Sequence, residues 1–169
     1  TRGIFRVHQF DKVEMVSFVL PQDDDKEHEY LLSLEEKMVK GLDLPYQVVK
    51  MCTGDLGFPT ARKYDIEIWM PSQGKYRETH SAATNTDFQS RRLSIKYRQG
   101  EKKEYTPWVI ETSGGVDRAT LFLLLDSYRE DGKRVYLSFK PKLAPYKAAV
   151  FPLLANKEEL VKLAKVVYH

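Results

Sequence analysis

The spacing of apolar residues predicts helices and strands along the first part of the chain. Apolar side chains recur every three or four residues over 27–40, which is typical of an amphipathic helix, and Gly41 would end that helix. The runs 46–52 and 64–70 favour strands. In the second run the aliphatic side chains fall on one face and the others on the opposite face: Ile66, Ile68 and Met70 against Asp65, Glu67 and Trp69.

The remaining elements of this part predict an α+β fold. Strand-forming residues indicate a strand-rich stretch over 5–20, and shorter strands are predicted over 93–97 and 108–110. The last strand leads through a glycine-containing turn at 112–115 into an apolar helix over 116–128. Several strands around a buried helix predict a mostly antiparallel sheet with flanking helices.

The residues beyond about 140 predict a second domain. We place the first domain at 1–140 and the second at 144–169, because prolines become frequent there and the pattern changes. A strand is predicted over 147–151, followed by a helix with Asn156 as its N-cap and two acidic residues in its first turn. A strand followed by a helix is the beginning of an α/β unit.

Composition excludes several classes of protein. Hydrophobic residues make up 42% of the 169 and charged residues 30%, which is the balance of a folded protein rather than a disordered one. Cys52 is the single cysteine, so internal disulfides and cysteine-based zinc sites are excluded, and a reducing cytoplasm fits best. No apolar run approaches the roughly 20 residues of a membrane helix. The net charge of +3 would suit an RNA partner without proving one.

Side chains of complementary chemistry alternate near the N-terminus. In an extended strand, Arg6, His8, Phe10, Lys12 and Glu14 would share one face, because every second residue points to the same side. A cation, an aromatic ring and a carboxylate there could hold a phosphate, a flat base and an ammonium group. A solvent-exposed strand face without a ligand is the alternative interpretation.

A second feature lies at the predicted strand-to-helix junction, in the segment Glu111-Thr-Ser-Gly-Gly-Val-Asp-Arg118. Its glycines permit close backbone approach, and Arg118 could pair with phosphate or lie flat on a base. A tight packing turn fits the same residues. Glu67 and Glu78 are candidates for binding a divalent metal or an amino group, although exposed carboxylates on sheets are common. No Walker or Rossmann glycine pattern is present.

The first of these features resembles class II aminoacyl-tRNA synthetases. Residues 3–14, Gly-Ile-Phe-Arg-Val-His-Gln-Phe-Asp-Lys-Val-Glu, resemble the second half of motif 2 in that class. Three further segments are similar to seryl-tRNA synthetases, so this likeness covers 3–98: 52–57, 64–71 and 86–92.

The later part of the chain, 105–169, is instead similar to glycyl-tRNA synthetases. Residues 108–118 resemble motif 3 of glycyl enzymes. Residues 142–153 resemble the entry into the anticodon-binding domain that glycyl, threonyl, prolyl and histidyl enzymes share. The resemblance therefore implies a class II catalytic domain from the second half of motif 2 to motif 3, followed by the start of an anticodon-binding domain.

The resemblance implies ATP and magnesium as cofactors and assigns residues to both. Phe10 and Arg118 would enclose the adenine, and Arg6 would reach the phosphate end of ATP, so that the two arginines are the expected catalytic residues. Glu78 and Ser81 would help to hold Mg²⁺.

The implied partners are tRNA, an amino acid and, in the full-length protein, a second copy of the chain. Glu14 would face the substrate ammonium group, whereas Glu111 and Ser113 match residues of glycyl enzymes that bind and confine glycine. We therefore expect a glycine-activating enzyme, with seryl specificity as the alternative. A non-catalytic paralogue that binds RNA or another protein is the alternative of another class.

The two ends of the chain resemble cut ends. The chain begins at Thr1 without an initiator methionine and ends within a helical pattern. Motif 1 and the first strand of motif 2, with the arginine that would grip the α-phosphate, are expected upstream. We therefore expect the piece to be inactive by itself, and either a truncated gene or a hybrid of two genes would give this pattern.

Overall fold

The structure is a computed structural model that describes residues 3–100 and 103–168. Its internal contacts divide the chain into two compact units, the first ending at Tyr136 and the second beginning at Leu137. This division lies close to the predicted boundary near 140. That the second unit begins an anticodon-binding domain stays a prediction.

The first unit is built on a five-stranded sheet of order β1-β7-β4-β3-β2, in which all neighbouring strands are antiparallel. The sheet strands are β1 (Lys12–Val19), β2 (Tyr46–Lys50), β3 (Arg62–Met70), β4 (Lys75–Thr84) and β7 (Trp108–Gly115). Two hairpins, β5–β6 and β8–β9, are formed by short strands: β5 (Tyr97–Gln99), β6 (Lys103–Tyr105), β8 (Tyr128–Glu130) and β9 (Val135–Leu137). The helices are α1 (Asp24–Leu42), α2 (Phe88–Arg92), α3 (Val116–Ser127) and, in the second unit, α4 (Glu158–Tyr168).

Helices α1 and α3 contribute to one core on the same face of the sheet. The aliphatic face of β3 is buried as predicted, with Ile66 and Ile68 fully buried, and it joins one cluster with Val39 of α1 and Phe122 of α3. Full burial of one such side chain stabilises the fold by about 1.5–3 kcal/mol. The predicted α+β architecture, an antiparallel sheet with flanking helices, is confirmed.

Helix α1 is longer than the predicted helix at both ends. It begins at Asp24, with three acidic residues in its first turn, where the helix dipole favours negative charge. Gly41 does not end the helix, which continues to Leu42. Asp43 caps the helix in a left-handed conformation with a φ of 57°, because its backbone N–H bonds to the carbonyl of Lys40 at 3.0 Å.

Three predicted strands are shorter than expected, and the one predicted over 46–52 ends at Lys50. The stretch 5–20 is a strand only from Lys12, because Asp11 is tied to the start of α3: its carbonyl accepts the Val116 N–H at 3.0 Å, and its own N–H donates to Asp117 at 2.6 Å. Arg6, His8 and Phe10 therefore do not alternate on a strand face. The predicted strand 93–97 begins only at Tyr97, since the N–H groups before it bond back to α2.

Other corrections concern strands that were missed or misplaced. Strand β4, a central strand of the sheet, was not predicted as a strand. The predicted turn at 112–115 is the end of β7, and the predicted strand 147–151 does not form. Asn156 does not cap α4, which begins at Glu158 with the N–H of Val161 bonded to the carbonyl of Lys157.

Candidate active site

The face of the sheet opposite α1 and α3 carries polar side chains, and we call it the polar face. Its central row crosses four strands in register: Glu14, Ser113, Ser81 and Asp65. Residues directly opposite one another in antiparallel strands point to the same side of a sheet. The two serine hydroxyl oxygens of this row are 3.1 Å apart, so they form a hydrogen bond. Four strands thus place hydroxyl and carboxyl groups side by side.

An irregularity in β4 brings Glu78 onto this face. Ser81 pairs with Asp65 and Glu78 pairs with Glu67, so that Thr79 and His80 of β4 match a single residue of β3. This extra residue is a β-bulge, and it lets two residues three positions apart point to the same side. Glu78 and Ser81, the predicted magnesium ligands, therefore share the polar face.

Charges of alternating sign follow one another next to that row. Lys63 Nζ lies 2.8 Å from Asp65 Oδ1 and 3.5 Å from Glu78 Oε1. Arg118 Nη1 lies 3.6 Å from Glu78 Oε2 and donates to the Glu78 carbonyl at 2.9 Å. Burial alone would lower the pKa of Lys63, but the hydrogen bond that Lys63 donates to Asp65 and the charge of Glu78 raise it. The Glu78 carboxylate is thus held between two cations.

A cavity of about 640 Å³ opens beside these charges, within the usual size range of small-molecule sites. Six predicted site residues line it: Arg6, Phe10, Glu78, Ser81, Ser113 and Arg118. The other two predicted residues do not. Glu14 pairs instead with Lys12 at 2.7 Å, and Glu111 accepts a hydrogen bond from Gln89 at 2.9 Å.

Phe5 was not singled out by the sequence, yet it supports Arg118. The Arg118 guanidinium carbon lies 4.3 Å from the centre of the Phe5 ring, and that of Arg77 lies 5.1 Å from it. On the core side the Phe5 ring meets Phe122 edge-on at 6.4 Å. Phe10, in contrast, is 55% exposed at the rim of the cavity. Sequence spacing could not find Phe5, because its contacts come from α3 and β4.

The lining of the cavity suits a flat anionic ligand. Two arginines can neutralise phosphates, and an exposed ring and a guanidinium in the same lining are groups on which a flat base can stack. Among the described residues no group of three or more His, Cys, Asp or Glu could hold a metal by itself. One carboxylate and one hydroxyl fit Mg²⁺ only where nucleotide phosphates and water supply its other ligands. Within the same part of the chain, no helix is long and apolar enough to span a membrane.

The antiparallel sheet with flanking helices, and the cavity lined by predicted site residues, agree with the resemblance to class II aminoacyl-tRNA synthetases. Residues 1–128 match the family described as tRNA synthetase class II core domain (G, H, P, S and T). The chain belongs to that family.

Individual relatives are similar to the chain over most of its length. It is 46% identical over 152 residues to the serine-tRNA ligase of Streptomyces coelicolor, a match that covers 86% of the chain and 36% of that protein. It is 40% identical to the serine-tRNA ligase of Erythrobacter litoralis, covering 90% of the chain and 36% of that protein. The crystal structure of seryl-tRNA synthetase from Pyrococcus horikoshii complexed with ATP superposes with a TM-score of 0.73 at 43% identity, over 78% of the chain and 30% of that structure.

The comparisons correct the predicted preference for glycine. A match over 90% of the chain must extend well beyond residue 104, and therefore into the part that resembled glycyl enzymes. The named relatives are serine-tRNA ligases, so the glycine preference finds no support, whereas the serine alternative does. The chain spans about a third of the length of these relatives.

Proposed function

We propose that the chain is the part of a seryl-tRNA synthetase that binds ATP and serine. The observation that carries the proposal is the single cavity that brings six predicted site residues together, in a chain similar to serine-tRNA ligases over most of its length. The complete enzyme would join the serine carboxylate to the α-phosphate of ATP with release of pyrophosphate. It would then transfer the seryl group from the resulting adenylate to a terminal ribose hydroxyl of tRNA, with release of AMP.

The proposed ATP site uses both ends of the cavity lining. Phe10 at the rim and Arg118, whose guanidinium Phe5 supports, would enclose the adenine. Arg6 would contact the phosphate end. Support for ATP comes also from the related Pyrococcus structure, which is described as complexed with ATP.

The proposed metal ligands are Glu78 and Ser81. Mg²⁺ bound there would neutralise charge on the phosphates as pyrophosphate departs. The flanking cations Lys63 and Arg118 hold the Glu78 carboxylate at 3.5 and 3.6 Å. They therefore fix its position on the polar face before any metal arrives.

The proposed serine site lies in the row of the polar face beside the cavity. Glu14 pairs in register with Ser113, so a carboxylate for the substrate ammonium group lies opposite a hydroxyl for its polar side chain. Glu111, two residues before Ser113 on the same face, has one oxygen engaged by Gln89. A site that hydrogen-bonds a substrate hydroxyl can reject the analogue without it by about 10⁴-fold, because its own polar groups would be left unpaired.

The experiment is a chimera in which this chain replaces the matching segment of the Streptomyces coelicolor enzyme. Circular dichroism would first show that the chimera is folded. Pyrophosphate exchange by the chimera would then be measured with serine, glycine, alanine and threonine. We expect exchange with serine to exceed exchange with glycine by at least about 100-fold. Exchange with glycine but not with serine would overturn the proposed specificity. A folded chimera that is silent with all four would overturn the proposed activity.

A further inference from the structure

An exposed group of rings and cations lies outside the cavity described above. Phe58, in the loop between β2 and β3, is 88% exposed. Its ring meets Phe88 of α2 edge-on, with the ring centres 5.4 Å apart. The Arg92 guanidinium lies flat on the same Phe88 ring, with its carbon 3.3 Å from the ring centre. We call Phe58, Phe88 and Arg92 the aromatic platform.

Hydrogen bonds hold the platform in place. The Phe88 N–H donates to the Asn85 carbonyl at 3.0 Å, and Arg92 Nη1 donates to the Phe88 carbonyl at 3.1 Å. On the other side, Thr60 donates from its hydroxyl to the Asn85 side chain at 3.0 Å and from its N–H to the Gly57 carbonyl, also at 3.0 Å. The segments that carry the two rings are therefore both hydrogen-bonded to Asn85. One face of Phe58 remains open to solvent.

The segment that contains Phe88 and Arg92 is basic. The described residues of 87–105 contain five lysines and arginines but only two acidic residues, whereas the whole chain has 27 and 24. Apart from Arg92, the basic residues are Arg91, Lys96, Arg98 and Lys103, all exposed. The acidic residues are Asp87, which pairs with Arg91, and Glu104, within 4 Å of Lys96 and Arg98. The excess of positive charge therefore faces solvent.

The platform also adjoins the polar face. Gln89, the residue after Phe88, donates its side-chain amide to Glu111 at 2.9 Å. A polymer that lay across the platform would thus run towards the proposed amino-acid site. Open rings next to cations form the surface on which single-stranded nucleic acids stack.

We propose that the aromatic platform binds an unpaired segment of an RNA strand, with one base stacked on Phe58 and a neighbouring phosphate paired with Arg92. Phe58 supplies the stacking face, since 88% of its surface is exposed in the part of the chain that the structure describes. Arg92 supplies the charge, because its guanidinium is already oriented by the Phe88 ring and keeps donor groups for a phosphate. The choice of RNA rests on the proposed function, whereas stacking and charge do not.

The experiment measures RNA binding by the 169-residue chain itself. A labelled single-stranded RNA of about 12 nucleotides would be titrated and followed by fluorescence anisotropy at several salt concentrations. Phe58→Ala is expected to weaken binding by about tenfold or more, and Phe58→Trp to preserve it, because every base can stack on either ring. The matched control is Phe151→Ala, which removes another highly exposed phenylalanine (82%) from the second unit.

A charge variant tests the second contact. Arg92→Gln should lower the slope of log K against log salt by about 0.7, the value for one phosphate contact with a single strand. Lys37→Gln, which removes an exposed cation from α1, should leave the slope unchanged. Equal losses for Phe58→Ala and Phe151→Ala would overturn the proposal, as would equal binding of duplex RNA. If an acidic peptide displaces the RNA and binds the Phe58→Ala variant with unchanged affinity, the RNA proposal is overturned and a protein partner is indicated instead.

Failure of this proposal and failure of the proposed function are separable. In the chimera, Phe58→Ala should leave serine-dependent pyrophosphate exchange unchanged, because exchange needs no RNA. Loss of RNA binding with normal exchange is the expected result for this variant. If the 169-residue chain binds RNA but the chimera shows no pyrophosphate exchange, the proposed activity is refuted and the proposed RNA site is not.

Discussion

Glu35 of α1 carries a carboxyl group beneath the sheet, where a charge is costly. The residue is 1% exposed, and its Oε2 has no hydrogen-bond partner among the described residues. Burial raises the pKa of Glu35 from 4.5 to about 8, opposed by the Ser113 backbone N–H and increased by the charge of Asp65. The carboxyl group is therefore protonated in the folded protein at neutral pH and charged in the unfolded chain.

The sign of the effect on stability follows from proton uptake. Between pH 4.5 and about 8 the folded chain binds a proton at Glu35 that the unfolded chain has lost, so stability falls as pH rises and levels off above the folded pKa. At about 1.4 kcal/mol per unit, the full shift sets a ceiling of about 5 kcal/mol, of which about 3 is already lost at pH 7. Roughly 1 to 1.5 kcal/mol remains to be lost between pH 7 and pH 9.

Urea unfolding of the parent chain and of Glu35→Gln at pH 6, 7, 8 and 9 measures this loss. Gln keeps the shape but cannot ionise, so the free energy of unfolding of the variant should gain on the parent by about 1 kcal/mol or more between pH 7 and 9. Glu29→Gln, an exposed position of the same helix, is the control and should run parallel to the parent. Burial lowers the pKa of His28 and of His80 from the ordinary histidine value, away from the range between pH 7 and 9. Parallel curves for parent and Glu35→Gln would refute the reasoning.

Three further variants test packing and the nucleotide site. Gly114→Ala should lower the free energy of unfolding, measured in urea, by about 1–3 kcal/mol, because the new Cβ would lie 2.7 Å from the buried His80 ring. Gly115→Ala is the control and should change it little, since the nearest contact of its new Cβ is 3.5 Å. Equal losses in the two variants would contradict this explanation. In the chimera, Arg118→Ala should reduce the rate of pyrophosphate exchange by at least about 100-fold. Arg118→Lys should also be impaired, since an ammonium group cannot stack flat on a base. Exchange by Arg118→Ala at the parent rate would show that Arg118 is not part of the site. Phe5→Ala should raise the KM for ATP by roughly fivefold, because it removes the ring that supports the Arg118 guanidinium. Phe5→Tyr keeps a ring and should leave the KM unchanged. An unchanged KM in Phe5→Ala would show that this ring does not support the guanidinium.

The elements with strong periodicity could be predicted from the sequence, and those fixed by distant contacts could not. Helices α1 and α3 and the buried face of β3 follow directly from the spacing of their apolar residues. Strand β4 escaped prediction because the bulge at Thr79 interrupts its alternation. The segment before Lys12 has strand-forming residues, but its bonds to the start of α3 override that propensity.

The same distinction applies to the candidate site. The resemblance named six of the side chains that line the cavity, and four of them lie in the segments that carry it: Arg6, Phe10, Ser113 and Arg118. It gave no reason to expect Lys63 beside Glu78, since the 3.5 Å contact joins two strands. It also placed Glu14 and Glu111 at the same site as the others, whereas both lie beside the cavity and not in its lining. A motif thus predicts which residues belong to a site better than it predicts which side chains contact one another there.

The register also explains how a glycine-rich motif misled the choice of amino acid. Gly114 lies opposite His80 and faces the helix side of the sheet, where its missing Cβ makes room for the imidazole ring. That glycine is therefore required by packing behind the polar face, whereas the expected preference for glycine rested on Glu111 and Ser113. Of the motif, Glu111 and Ser113 face the polar side, and their cross-strand neighbours come from other segments. The proposed specificity for serine then depends on the whole row, which a local likeness over one strand cannot represent.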